Sequence, residues 1–247
     1  MIGVLGGMGP AATVDFMAKL LQLTPATCDQ EHVPVVVANL PQIPDRSRHI
    51  LGGGADPLPA LLDGMDLLNR AGSGLNLITC NTAHHWHEPL ARRSRAPLLH
   101  IAEASLAALP PHGTAPVALF ATRGTLASGF YQRIAAAQGR LLRLPEPAVQ
   151  PRIDACIQAV KAGDLAAGSA HLARALAAMR EQGLAAVILA CTELPIAAAP
   201  LPPPGLQLID SSLELARQAL LQAGRQGWLR SAAVQPISTR PAQDLPV

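Results

Sequence analysis

Two cysteines in similar local settings are the residues of this chain best suited to chemistry. Cys80 ends the apolar run Leu77-Ile78-Thr79, and Cys191 ends the apolar run Val187–Ala190. An apolar run that stops at a thiol and then turns polar is typical of a buried strand that carries the thiol at its end. Two thiols that face each other can remove a proton from one face of a carbon atom and return a proton to the opposite face.

A free cysteine is often only a small buried hydrophobe, so the structural alternative needs weighing. Cys28 lies in a polar stretch and Cys156 lies within a helical pattern. Neither is followed directly by a polar pair of the Asn-Thr or Thr-Glu kind, and we interpret both as structural. The repeated setting favours a catalytic role for Cys80 and Cys191.

Strand-like apolar runs alternate with helical patterns along most of the chain. This alternation predicts an α/β fold with mainly parallel sheets flanked by helices, and such sheets bind ligands beyond the carboxyl ends of their strands. The predicted strands are Ile2–Leu5, Val33–Asn39, Leu75–Thr79, Leu98–His100, Val117–Ala121, Arg140–Leu144, Ala186–Ala190 and Gln207–Ile209. The predicted helices are Ala12–Leu23, Pro57–Arg70, Trp86–Arg95, Ala102–Leu109, Ser128–Ala137, Pro151–Lys161, Ser169–Gln182 and Ser212–Ala223.

The matching cysteine settings predict two pseudo-symmetric lobes with the active site in the cleft between them. We expect residues 1–110 together with 206–225 to form the first lobe, and residues 111–205 to form the second. Pro110–Gly113 has the composition of a hinge. Residues 226–247 mix Pro, Ser, Thr and Arg without periodicity and are predicted to be a loosely attached tail.

The composition excludes several classes of function. The chain has 247 residues, of which 49% are hydrophobic and 15% charged, so it can bury a substantial core. A net charge of +2 and an aromatic content of 2% argue against nucleic-acid and membrane-surface partners. We expect neither a signal peptide nor a transmembrane helix. The four cysteines form no C-x-x-C motif, which is consistent with a reducing, cytoplasmic location.

A glycine-rich loop, Gly3–Pro10, follows the first predicted strand and opens a helix. Its G-x-x-G-G-x-G spacing differs from the dinucleotide fingerprint, and the second strand ends in Asn39 rather than in an acidic residue. We interpret the loop as a site for a small carboxylate, since glycines let backbone N–H groups approach an anion. A tight turn that binds nothing is the alternative.

These features together resemble the aspartate/glutamate racemase family of cofactor-independent amino-acid racemases. The motifs follow the family's order and cover most of residues 1–220. They are Gly6-Gly7-Met8-Gly9-Pro10, Ile43-Pro44-Asp45-Arg46, Cys80-Asn81-Thr82-Ala83-His84, Ala121–Tyr131 and Cys191-Thr192-Glu193. The resemblance implies two α/β lobes with the active site between them, the same architecture that the strand and helix patterns predict.

The resemblance also implies roles for individual residues. Cys80 and Cys191 would be the two acid/base thiols, with Cys80 acting on the D-enantiomer and Cys191 on the L-enantiomer of aspartate or glutamate. Arg46 and Lys161 would lie near the substrate's carboxylates, which arginine can bind bidentately. The full set of substrate-contacting positions is Met8, Arg46, Asn81, Thr82, Thr122, Lys161 and Thr192. The implied partner is a small amino acid, no cofactor is expected, and a homodimer is one possible assembly.

Histidines cluster after the first catalytic cysteine. His84, His85 and His87 lie beside Glu88, and His84 and His87 are about one helical turn apart. A third converging ligand is not evident, so we expect no metal site. His84 is better suited to orient or tune Cys80 by hydrogen bonding, or to cap a helix.

Two other functions remain open. A hydantoin racemase or a maleate-type isomerase, which uses one cysteine as a nucleophile, could be built on the same scaffold. A catalytically silent protein that binds a small molecule is the alternative from a different class. Loss of optical rotation separates the racemase from the binding protein.

Overall fold

The computed structural model describes residues 1–110 and 116–229, which fold as two parallel β-sheets flanked by helices. The first sheet has strand order β2-β1-β3 and the second β5-β4-β6-β7. Every strand pairing in both sheets is parallel. The predicted α/β architecture is therefore confirmed. The strands are β1 Ile2–Gly6, β2 Val35–Asn39, β3 Leu75–Ile78, β4 Val117–Ala121, β5 Leu142–Arg143, β6 Ala186–Ala190 and β7 Gln207–Asp210.

The α-helices fill most of the connections between the strands. They are α1 Pro10–Leu23, α2 Arg46–Ile50, α3 Leu58–Arg70, α4 His87–Arg93, α5 Ile101–Ala107, α6 Arg123–Ser128, α7 Phe130–Ala137, α8 Gln150–Lys161, α9 Leu165–Glu181, α10 Glu193–Ala198 and α11 Ser211–Arg225. Short 3₁₀ helices span Asp29–Glu31 and Thr82–Trp86. None of the helices in the described ranges has both the length and the apolar character needed to cross a bilayer.

The two sheets repeat one arrangement around a central strand. In the first sheet β1 pairs with β2 on one side and β3 on the other. In the second sheet β4 pairs with β5 on one side and β6 on the other. β3 and β6 therefore hold equivalent places in the two lobes, and Cys80 and Cys191 lie just beyond their carboxyl ends.

Apolar side chains pack on both faces of each sheet. On β1, Val4 contributes to one core cluster while Leu5, next along the strand, contributes to another. On β6, Val187 and Ile188 alternate between two clusters in the same way. This doubly covered arrangement explains why the strands read as continuous apolar runs in the sequence.

The structure corrects two details of the predicted organisation. The segment from Leu206, expected in the first lobe, forms β7, which pairs with β6 in the second sheet. α11 then packs against α1 and α5 of the first lobe, so the chain crosses between lobes after β7. The predicted strand Leu98–His100 makes only an isolated bridge from Leu98 to Asn76, because the chain enters α5 at Ile101.

Parts of two predicted segments lie outside the described residues. Of the predicted hinge, residues 111–113 fall there, as does most of the predicted tail, from residue 230 onward. The first part of the tail is described: Trp228 and Leu229 pack against the apolar cluster of the first lobe. The remaining domain boundaries stay predictions.

Candidate active site

A small cavity lies between the two lobes, beyond the strand ends that carry the cysteines. The space between its lining atoms, part of which is open to solvent, is about 300 Å³. All nine residues singled out from the sequence line it, together with three others. The lining residues are Met8, Asp45, Arg46, Ser47, Cys80, Asn81, Thr82, Thr122, Lys161, Cys191, Thr192 and Glu193. The structure therefore brings both thiols into one cavity, one from each lobe.

Cys191 is hydrogen-bonded to a carboxylate in this cavity. Its Sγ donates to Oε2 of Glu193 at 3.0 Å, and the Thr192 hydroxyl donates to the same oxygen at 3.4 Å. Cys191 is 5% exposed and Glu193 is 3% exposed. Burial, followed by the charge of Glu193, raises the pKa of the Cys191 thiol well above its ordinary value. Cys191 therefore holds its proton at neutral pH.

Cys80 is buried and follows β3. The backbone turns at once into the 3₁₀ helix Thr82–Trp86, and the Cys80 carbonyl oxygen accepts a hydrogen bond from Nδ1 of His84 at 2.9 Å. Burial lowers the pKa of His84 to about 3, so its ring is neutral at physiological pH. His84 thus holds the backbone of Cys80 in place through a bond to the carbonyl oxygen.

Asn81 is fixed by a hydrogen-bond network that joins the two lobes. Its Oδ1 accepts from the Tyr131 hydroxyl at 2.7 Å, and its Nδ2 donates to Ser211 Oγ at 2.9 Å. Ser211 in turn donates to the carbonyl oxygen of Leu189 on β6 at 2.8 Å. Because the Ser211 hydroxyl donates its proton to Leu189, its oxygen must accept the hydrogen bond from Asn81. This sets the orientation of the Asn81 amide.

A cluster of threonine hydroxyls forms a second bridge between the lobes. Thr82 Oγ1 lies 3.0 Å from Thr122 Oγ1 and 2.9 Å from Thr125 Oγ1. Thr122 also caps α6, since its hydroxyl accepts from the backbone N–H of Thr125 at 3.1 Å. The cavity wall is therefore lined with hydroxyl groups whose positions are set by one another.

Arg46 is buried at the start of α2, and its guanidinium is held by backbone carbonyls. Nη1 donates to the carbonyl oxygens of Ile43 and Pro44, both at 3.0 Å, and Nη2 donates to that of Met8 at 3.2 Å. A guanidinium carries five N–H groups, so two remain. Among the described residues, Nε has no hydrogen-bond partner. The free donors are suited to a carboxylate in the cavity.

Lys161 ends α8 and contributes the second positive charge. Desolvation in the cleft acts to lower the pKa of its ammonium group. Negative charge in the cavity, above all that of Glu193, outweighs this effect, so the pKa lies above its ordinary value. Lys161 is therefore charged, and its charge favours anions in the cavity.

The glycine-rich loop packs tightly against the turn after β2. A side chain at Gly7, which has φ +92°, would meet the backbone nitrogen of Leu40 at 2.3 Å. The Gly7 N–H donates to Thr13 Oγ1 at 2.8 Å. Met8 is the member of this loop that lines the cavity, while its carbonyl oxygen binds Arg46. The assignment of this loop as a carboxylate site stays a prediction.

Comparison with known proteins identifies the family of this chain. The family model described as Asp/Glu/Hydantoin racemase matches residues 5–219. The chain belongs to this racemase family. It is 27% identical over 198 residues to the broad specificity amino-acid racemase RacX of Bacillus subtilis (strain 168), covering 78% of this chain and 86% of RacX.

Solved racemase structures share the fold. Picrophilus torridus aspartate racemase is 30% identical with a TM-score of 0.80, and the match covers 90% of this chain and 94% of that one. The glutamate racemase of Francisella tularensis subsp. tularensis SCHU S4, solved with D-glutamate, has a TM-score of 0.67 at 17% identity, with coverage of 94% and 84%. The latter likeness concerns the fold alone.

The cavity contains three residues to which the sequence analysis assigned no role. Asp45 caps α2 by accepting from the Arg48 N–H at 2.7 Å. Ser47 lies against Gly124 of the facing lobe, where an added Cβ would be 2.6 Å from the Ser47 Cα. Glu193 belongs to the Cys-Thr-Glu motif, and its position two residues after a thiol was the available signal.

The remaining histidines and cysteines lie outside the cavity lining. His84 contacts His87 and His100 ring to ring, but no group of three His, Cys, Asp or Glu side chains in residues 1–110 and 116–229 is arranged to hold a metal ion. Cys28 is exposed, and Cys156 is buried in the core of the second lobe.

Proposed function

We propose that this protein is a cofactor-independent amino-acid racemase that interconverts L- and D-aspartate or glutamate by proton transfer at Cα. The observation that carries the proposal is the placement of Cys80 and Cys191 in one cavity, at equivalent strand ends of two lobes. Two acid/base groups on opposite sides of a carbon are what inversion without a cofactor requires. The two thiols provide these groups without pyridoxal phosphate or a metal.

In the proposed mechanism one cysteine acts as a thiolate and removes the α-proton, while the other acts as a thiol and donates its proton to the opposite face. Following the family resemblance, Cys80 accepts the proton of the D-enantiomer and Cys191 that of the L-enantiomer. Each turnover exchanges the protonation states of the two cysteines. The reverse reaction then starts from the thiolate that the forward reaction leaves.

The Cα proton is weakly acidic, so the site must stabilise the enolate-like charge that develops on the carboxylate. Thr192 and the backbone N–H groups that follow the two cysteines are suited to this task. Asn81 adds a second Nδ2 proton, and Thr82 adds a hydroxyl, from side chains whose positions are fixed by hydrogen bonds. Preorganised donors of this kind need no rearrangement during the reaction.

The two positive charges of the cavity support a dicarboxylic substrate. Arg46 has an Nε donor without a hydrogen-bond partner among the described residues, and nearby negative charge raises the pKa of the Lys161 ammonium group. The simplest assignment places one substrate carboxylate at each of these two cations, with the side-chain carboxylate at Arg46. The name of the Picrophilus torridus relative, an aspartate racemase, agrees with this choice. The free cysteines fit a cytoplasmic protein, because thiols stay reduced there.

The test is to follow the optical rotation of L- and D-aspartate and of L- and D-glutamate with the wild type, Cys80→Ser and Cys191→Ser. A serine hydroxyl is a far weaker acid and base than a thiol, so each variant should lose nearly all racemisation while it keeps its circular dichroism spectrum. Cys156→Ser is the matched control. Wild-type turnover in both directions by either active-site variant would contradict the two-thiol mechanism.

A further inference from the structure

Glu193 is a buried carboxylate in the cavity whose two oxygens have different surroundings. Oε2 accepts hydrogen bonds from the Cys191 thiol and the Thr192 hydroxyl. Oε1 is also buried, but it has no hydrogen-bond partner among the described residues. The Cα of Gly9 packs beside it, since a Cβ built there would be 3.3 Å from Oε1. The free oxygen therefore lies between the second cysteine and the glycine-rich loop.

The charge of Glu193 also lacks a direct counterion in the described parts of the chain. No Lys or Arg nitrogen there lies within 4.0 Å of its carboxylate. Arg46 is tied to three backbone carbonyls, and Lys161 acts on Glu193 only through the longer-range field. A buried carboxylate without a paired cation is costly, so it is normally paired or hydrogen-bonded.

The chemistry that would satisfy Oε1 is a small cation with N–H donors. The α-ammonium group of an amino acid meets this description, because it offers three donors and a positive charge. An ammonium within hydrogen-bond distance of Oε1 would also bring the α-carbon close to Cys191, whose Sγ lies 3.0 Å from the other oxygen of the same carboxylate. One side chain can thus hold the thiol and the substrate together.

We propose that Glu193 binds the α-ammonium group of the substrate through Oε1, and so restricts the site to acids that carry a free α-amino group. The proposal rests on the proposed function, because it assumes that the cavity binds amino acids. It excludes α-unsubstituted dicarboxylates and N-acylated amino acids as good ligands. It also separates this site from a maleate-type isomerase, whose substrate has no ammonium group.

The experiment compares ligand pairs that differ only in the amino group. Dissociation constants are measured by calorimetry for L-aspartate against succinate and for L-glutamate against glutarate. The proteins are the wild type, Glu193→Gln, Glu193→Asp and Glu214→Gln. Glu214 lies on α11 in an ion pair with Arg217 and does not line the cavity, so its variant is the matched control. N-acetyl-aspartate is a further ligand without a free ammonium.

The wild type and Glu214→Gln should prefer each amino acid over its deaminated partner. In Glu193→Gln this preference should fall by roughly tenfold to a hundredfold, the usual value of a hydrogen bond to a buried charge. Glu193→Asp, which keeps the carboxylate, should retain part of the preference. A merely structural role would weaken both members of a pair equally and leave their ratio unchanged.

Several results would overturn the proposal. One is wild-type binding of succinate as tight as that of aspartate, and another is no binding of either amino acid. A third is an unchanged ratio of the two dissociation constants in Glu193→Gln. A wild type that discriminates by the amino group but does not racemise would instead refute the proposed racemase function and leave the ammonium site standing, so the two failures are distinguishable.

Discussion

Replacing Arg46 with lysine tests whether the cavity recognises a side-chain carboxylate. The change keeps the positive charge but removes the planar fork, which already holds three carbonyl oxygens and leaves two donors free. A hydrogen bond to a charged group contributes about 1.5–3 kcal/mol. Loss of one such bond to the substrate should therefore lower kcat/KM for dicarboxylic substrates by roughly tenfold to 150-fold.

The same substitution should cost stability as well as catalysis. Arg46 is 8% exposed, and its bonds tie the turn after β2 to the carbonyl oxygen of Met8. A lysine ammonium cannot span these carbonyls at once, so we expect a loss of about 1–3 kcal/mol in the free energy of unfolding. Arg48→Lys, on the exposed face of the same helix, should change neither quantity by much.

The assay is kcat/KM for aspartate, glutamate and alanine in the wild type, Arg46→Lys and Arg48→Lys, with urea unfolding curves for each protein. Alanine lacks the second carboxylate, so its loss in Arg46→Lys should be clearly smaller. An equal loss for all three substrates would refute the assignment of Arg46 to the side-chain carboxylate. An unchanged kcat/KM for aspartate would remove Arg46 from substrate binding altogether.

Three further predictions follow from the described residues. Gly124→Ala places a Cβ 2.6 Å from the Ser47 Cα where the lobes meet, so steady-state kinetics should show a higher KM and a lower kcat. Unchanged kinetics in this variant would show that the lobes need not approach this closely. Burial holds the pKa of His84 at about 3 in the folded protein, against 6.5 in the unfolded chain, so its contribution to stability is present above pH 6.5 and is lost as the pH falls, by about 2 kcal/mol between pH 7 and 5. In urea unfolding, the free energy of unfolding should therefore decline less steeply with falling pH in His84→Asn than in the wild type. Parallel declines would exclude His84 as the cause. Racemisation should survive dialysis against a chelator and treatment with hydroxylamine, and a loss restored only by added metal or pyridoxal phosphate would contradict the proposed chemistry.

The features of this fold that the sequence predicts well are those that have a local sequence pattern. The apolar runs that become β3 and β6 are buried on both faces, so their strand character and their terminal cysteines are visible without any tertiary information. α2 was not predicted, because a helix of five residues has too little periodicity to recognise. Its N-cap, Asp45, was its only local signal.

Contacts between distant residues account for what the sequence does not show. β7 was assigned to the wrong lobe, since an apolar run does not reveal which sheet it will join. The bond from Tyr131 to Asn81 joins residues 50 positions apart, and Ser211 completes the network from 130 positions away. The hydrogen bond from Cys191 to Glu193 is local, but its buried surroundings come from residues distant in sequence, in the core of the second lobe and at Gly9 of the first.

Proton exchange in D2O tests the two-thiol mechanism most directly. The wild type is incubated with L-aspartate or L-glutamate in D2O, and the deuterium at Cα is measured separately in the D- and L-enantiomers at early times. Because one thiol removes the proton and the other returns a solvent-derived deuteron, deuterium should appear in the new D-enantiomer before it appears in the remaining L-enantiomer. Cys80→Ser, which lacks the thiol that returns the deuteron, should form almost no D-product. Equal early labelling of both enantiomers by the wild type, or labelled D-product from Cys80→Ser at the wild-type rate, would contradict the account.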